Sequence, residues 1–120
     1  MIRSFEDIES WKKARKLNKF IYSKTNNNLF SKDFDLSRQI RRASVSISSN
    51  IAEGYERSSD KEFIYFLNIA KASAGEVRSQ LYLAFDLGYL NEKDFNELKN
   101  NVVEISKMLS GFIKYLNQQK

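Results

Sequence analysis

Apolar residues recur along this chain at steps of three and four, in four separate stretches, which is the signature of amphipathic helices. The first stretch carries Ile8, Trp11, Ala14, Leu17 and Ile21 and predicts a helix from about Asp7 to Lys24. It gives way to "TNNNLFSKD", where asparagines and Ser31 compete with helical hydrogen bonding and favour a turn. The second places Leu36, Ile40, Ala43, Ile47 and Ile51 on one face of a helix that starts at Asp33 or Asp35 and runs to Glu53. Gly54 then sits where a helix stops in a left-handed cap or bends.

Ser59, with Glu62 three residues on, matches a capping box and opens a third helix, about Asp60 to Leu87. Its stripe is Phe63, Leu67, Ala70, Ala74, Val77, Leu81 and Ala84, and Gly88 closes it. Asn91 caps a fourth helix whose seam, Phe95, Leu98, Val102, Ile105, Leu109, Phe112 and Leu116, alternates steps of three and four without a fault. Four such helices with short connections predict an all-α fold, an antiparallel up-down-up-down four-helix bundle, as one domain over residues 1–120.

Composition narrows the chemistry. The chain holds no cysteine and no histidine, which removes thiolate and imidazole metal sites, Ser-His-Asp triads and Cys-His nucleophiles. No proline and only four glycines leave few helix breakers, and no sheet is expected. There is no run of about 18 apolar residues and no basic-then-apolar leader, so the expectation is a cytoplasmic protein without a membrane partner.

The formal net charge of +5 is unevenly spread. Residues 1–10 hold one base and three acids, residues 11–52 ten bases and two acids, and residues 53–120 nine bases and ten acids. The positive charge therefore belongs to the first half, and it points to an anionic partner. Wound at about 100° per residue, the first helix gathers Lys12, Arg15, Lys16 and Lys19 on one arc away from its core face. The second adds Arg38, Arg41 and Arg42, with no acid between Asp35 and Glu53 to pair them locally. These seven residues are the candidate nucleic-acid contacts, since arginine forks suit phosphate oxygens. A solvated basic face is the plainer alternative.

The stretch "RQIRRASVSISSNIAEG" packs four serines into that second helix. Val45, Ser48, Ser49 and Ala52 point away from the core stripe and would let another backbone come close, while Tyr65, Ile69, Ala72 and Leu83 lie on or beside the outer side of the third helix. This surface predicts a homo-oligomer interface. Arg42, Ser46, Asn50 and Glu53 are read as a structural polar network that fixes helix register or subunit contact.

An enzyme is not expected. Glu53 and Glu56 stand three apart, but Glu76 is followed at the same spacing by Ser79, so the paired acidic motifs of all-helical nucleotide pyrophosphohydrolases are missing. Ferritin-like iron sites need Glu-x-x-His, which a chain without histidine lacks. No catalytic residue, cofactor or metal is assigned; a metal-dependent hydrolase built on Glu53, Glu56 and Glu76 is the residual alternative. Tyr22, Tyr55, Tyr65, Tyr82 and Tyr89 carry stacking faces, but nothing interleaves them with the basic stripe as a single-strand reader requires.

"QIRRASVSISSNIAEG", preceded by "SWKKARKLNKFIY" and followed by "KEFIYFLNIAKASAGEVRSQLYLAFDLGYL", resembles the four-helix-bundle proteins of the bacterial 23S ribosomal RNA intervening-sequence family over about residues 5–116. The chain is similar too to the accessory variability determinant proteins of diversity-generating retroelements. The resemblance implies a four-helix bundle, a homopentamer and a nucleic-acid-binding or scaffold role without catalysis, the scaffold serving a partner such as a reverse transcriptase. The motif carries over to Arg41, Arg42, Asn50, Glu53 and Gly54. Many members have proline where this chain has Ser48, so a kink is not expected there beyond the weak bend from a hydroxyl bonding back to Ser44.

Overall fold

The computed structural model describes residues 1–118; the last two residues of the expected 1–120 domain lie outside the described residues. A short 3-10 turn, Phe5–Asp7, precedes α1 (Glu9–Thr25), α2 (Asn28–Lys32), α3 (Phe34–Tyr55), α4 (Asp60–Asp86) and α5 (Glu92–Asn117). The Asp7 carboxylate closes the entry turn by accepting from the backbone N–H groups of Arg3 (2.9 Å) and Ser4 (3.3 Å). The Arg3 bond chiefly, against slight desolvation and with help from Ser4, holds this carboxyl below its usual range.

The caps fall where the sequence places them. Asp33 accepts from Leu36 N, Ser59 from Glu62 N and Asn91 from Asp94 N, each satisfying an N–H that the first turn of a helix leaves without a partner. Gly88, at φ 79°, lets α4 end in a Schellman motif, with Tyr89 N bonded to Ala84 O (2.9 Å) and Gly88 N to Phe85 O (3.0 Å). Two local expectations fail. The segment read as a turn contains α2, entered through Asn28 at φ 51° and fastened where Ser37 Oγ donates to Phe30 O (2.7 Å); burial of Phe30 beside Tyr89 overrides the turn-forming asparagines. Gly54 does not cap α3 in the left-handed region, since the helix runs on to Tyr55; its missing Cβ makes room for α4.

Contacts between helices advance along one as they retreat along the other. Between α1 and α3, Thr25 meets Arg41 and Asn18 meets Ser48. Between α3 and α4, Ser46 meets Ser73 and Gly54 meets Phe63. Between α4 and α5, Tyr82 meets Phe95 and Phe63 meets Phe112, both edge to face. Finally, α1 returns to α5 through Lys24–Asp94 (2.9 Å) and Lys13–Glu104 (3.0 Å). All four seams are antiparallel, so the long helices go up, down, up and down around a closed ring, with α1 beside α3 and α5 and diagonal to α4. The rod measures 49 × 20 × 20 Å.

Every stripe residue named from the sequence is buried except Trp11 and Phe112, which are half-buried against the same core. Two small polar clusters interrupt that core. At the α1–α3 seam Ser44 Oγ donates to Asn18 Oδ1 (2.7 Å) and Asn18 Nδ2 to Ser48 Oγ (3.0 Å). At the α3–α4 seam Ser46 Oγ and Ser73 Oγ share a bond of 2.9 Å.

Candidate nucleic-acid interface

The basic residues of α1 divide by what they touch. Lys12 is tied to Glu9 (2.9 Å), and Lys13 and Lys24, outside the expected stripe, are spent on the α5 seam. Arg15 reaches over Trp11 at 5.9 Å, and Arg15, Lys16 and Lys19 are exposed with no carboxylate within 4 Å among the described residues. On α3, Arg38, Arg41 and Arg42 share that property, Arg38 and Arg42 exposed and Arg41 half-buried. These six cations lie on the neighbouring helices of the α1–α3 wall in two groups, Arg38, Arg41 and Arg42 around one cleft and Arg15, Lys16 and Lys19 along a groove that Glu6 and Glu9 also line.

Arg41 is the most ordered of them. Its Nε donates to Thr25 Oγ1 (2.7 Å), and its guanidinium lies 4.4 Å from the centroid of Tyr22. Thr25 is buried and spends its own proton on Ile21 O (2.8 Å), so its oxygen is a fixed acceptor. The reading that no tyrosine joins the basic residues is therefore corrected: Tyr22 packs on Arg41, and it was missed because α1 and α3 meet only in the fold. Together they line a cleft of about 540 Å³ with Arg38, Arg42 and the exposed ring of Phe34.

Two other expected groupings change. Of the polar network, Asn50 Nδ2 does donate to Ser46 O (2.8 Å) and Ser46 Oγ (2.9 Å), and Ser46 carries the link to Ser73. Glu53, however, pairs with Arg57 (2.8 Å), one turn ahead and in solvent, and Arg42 turns out to the cleft rim. Of the expected interface, Val45, Ser49, Tyr65, Ala72 and Leu83 are exposed and Ala52 and Ile69 half-buried, but Ser48 is buried at 9% exposure. Ser48 leans into the α1 seam to accept from Asn18, and its proton goes to Val45 O (3.1 Å) rather than back to Ser44. Asn18 itself was missed; an asparagine between Leu17 and Ile21 on a core-forming helix was its signal.

Among the described residues no group of three or more Asp or Glu side chains gathers in a way that could hold a metal ion, and no helix is long and apolar enough to cross a membrane. Glu53 is engaged by Arg57. The site's resources are guanidinium and ammonium groups, two aromatic faces and hydroxyls, which suit anions and flat rings.

The family model for the 23S rRNA-intervening sequence protein matches residues 6–111. The chain belongs to that family. A crystal structure of a protein of unknown function from the S23 ribosomal protein family of Bacteroides thetaiotaomicron superposes with a TM-score of 0.80 at 29% identity, covering 88% of this chain and 95% of that one. No curated protein matches. The all-helical bundle is thus common to this chain and to that structural relative.

Proposed function

We propose that this member of the family is a non-catalytic, cytoplasmic homo-oligomer that binds folded RNA or DNA through phosphate contacts along its α1–α3 wall. The observation that carries this reading is the set of six cations, Arg15, Lys16, Lys19, Arg38, Arg41 and Arg42, without a carboxylate within 4 Å among the described residues. The other cations of α1, Lys12, Lys13 and Lys24, are paired with carboxylates, and α3 has no acid between Asp35 and Glu53 to pair its arginines locally. The family's link to ribosomal RNA makes RNA the first ligand to try. A homopentamer, implied by resemblance, would repeat the wall five times.

The test is binding of a labelled structured RNA and a DNA duplex of equal length across salt. Each phosphate neutralised contributes about −0.9 to the slope of log K against log salt on duplex DNA, so several contacts give a steep line. Replacing Lys16, Lys19, Arg38 and Arg42 together by glutamine flattens it. No binding at low salt would overturn the reading.

A scaffold role for a nucleic-acid enzyme is the second reading, favoured by the exposed apolar groups Val45, Tyr65 and Leu83 along α3 and α4. Arg41→Gln with Arg42→Gln separates the two: a fall in solution mass assigns the arginines to subunit contact, and unchanged mass with lost nucleic-acid binding assigns them to phosphate.

A further inference from the structure

We propose that the cleft between α1, α2 and α3 is a receptor for a single phosphorylated nucleotide, the phosphate on Arg38, Arg41 and Arg42 and the base against Phe34. The inference rests on the nucleic-acid reading above and gives one part of the wall a distinct ligand.

The cleft's lining combines three guanidiniums with Tyr22, Thr25, Asn26, Ser31, Phe34 and Ser37 and contains no carboxylate. Its volume of about 540 Å³ is that of a small-ligand site. The nearest acids in sequence are turned elsewhere. Asp33 caps α3 with one oxygen and accepts from Tyr89 Oη (2.8 Å) with the other, and Asp35 lines a separate groove with Tyr89 and Leu29. Three guanidiniums lining one open cleft favour an anion there.

Arg41 supplies preorganisation. Thr25 takes its Nε–H, and Tyr22 supports its flat face, which leaves the four N–H groups of its outer fork to a ligand. Arg38 and Arg42 stand one turn apart on the same helix and complete the clamp. The serines on the floor spend their protons on backbone carbonyls, Ser31 on Asn28 O and Ser37 on Phe30 O, so the arginines are the donors.

Charge and shape select a terminal phosphate over one inside a strand. A monoester carries about −1.5 to −2 at neutral pH, against −1 for a backbone diester, and so matches a triple cation better. The cleft is walled by α1, by α2 and by α3, which suits an end more than a chain passing through. At the rim Phe34 is 72% exposed on the turn before Arg38, roughly 6 Å of helix rise away. An aromatic ring so placed offers a stacking face to the adjoining base.

The experiment compares short single-stranded RNAs of one sequence, labelled at the 3′ end and carrying either a 5′-phosphate or a 5′-hydroxyl, by fluorescence polarisation at fixed salt. The 5′-phosphate is expected to tighten binding about tenfold. Arg41→Gln, Arg38→Gln and Phe34→Ala each reduce that advantage, whereas Lys16→Gln weakens both RNAs alike. Exposed Arg38 guards against the case in which Arg41→Gln disturbs the fold, checked by circular dichroism. Titration with a nucleoside monophosphate distinguishes the sources: displacement by it assigns the cleft to free nucleotides, and an undisturbed 5′-phosphate advantage assigns it to strand ends. Equal binding of the two RNAs with no effect of the mononucleotide overturns the inference and leaves salt-dependent binding, and the reading above, intact. Mononucleotide binding without RNA binding at low salt does the reverse.

Discussion

Gly54 lies so close to α4 that a Cβ on it would stand 2.7 Å from Phe66 Cβ and 2.9 Å from Phe63 Cδ1. Gly54→Ala must therefore push α3 and α4 apart. The substitution is expected to lower stability by about 1–3 kcal/mol, although alanine is the better helix former. Urea unfolding checks this. Gly75→Ala and Gly111→Ala, in exposed helix interiors with nothing within 4 Å of the added atom, are expected to stabilise by up to ~1 kcal/mol.

Asn18 joins two serines of α3 across the seam, and Ser44 is completely buried. Asn18→Ala leaves the Ser44 hydroxyl without this partner and is expected to cost about 1–3 kcal/mol. The double variant with Ser44→Ala regains part of that loss. A double-mutant cycle from denaturant midpoints measures the coupling, and strict additivity would show that the bond contributes nothing.

Tyr89 Oη donates to Asp33 Oδ2 at 2.8 Å, and this bond chiefly, with desolvation and the nearby negative charge, raises the phenol above its ordinary value. A raised folded-state value favours the neutral form. The bond's stabilisation is fully present below pH ~10, the usual phenol range, and is lost as pH rises through the folded value. The stability gap between the native chain and Tyr89→Phe should therefore shrink in alkali. Spectrophotometric titration should show one tyrosine ionising late; a gap that is constant or grows would contradict the assignment.

The two ion pairs joining α1 to α5 are unequal. Lys24 and Asp94 are 28% and 19% exposed at their side chains, whereas Lys13 and Glu104 are 43% and 54% exposed. Lys13→Met is expected to change stability by no more than about 1 kcal/mol and to lose that effect in high salt. Lys24→Met is expected to cost more and to keep more of its effect in salt.

The bundle was legible because the core stripes and caps are local signals: steps of three and four, and Ser59, Asn91 and Asp33 at helix starts, require no knowledge of neighbours. What the sequence hid depends on which helix meets which. Ser48 winds to the outer flank of α3, yet that flank faces α1 at this point, and Asn18 claims it. Glu53 winds toward Arg42, but Arg57, one turn further on, takes it. The seven basic candidates were found by counting charge. That Lys12 is neutralised and Arg41 is held by Thr25 and Tyr22 emerges only when distances are available.

The ring order of the helices has an electrical consequence. The adjacent pair α1 and α3 carries nine bases and three acids, while α4 and α5, on the other side of the rod, carry seven bases and eight acids. The molecule is thus a dipole across its short axis, and a polyanion's field exerts a torque that turns the α1–α3 side to the front before any contact forms. Productive collisions become a larger share of all encounters, so this asymmetry acts first on association rate and fades as added salt screens the field.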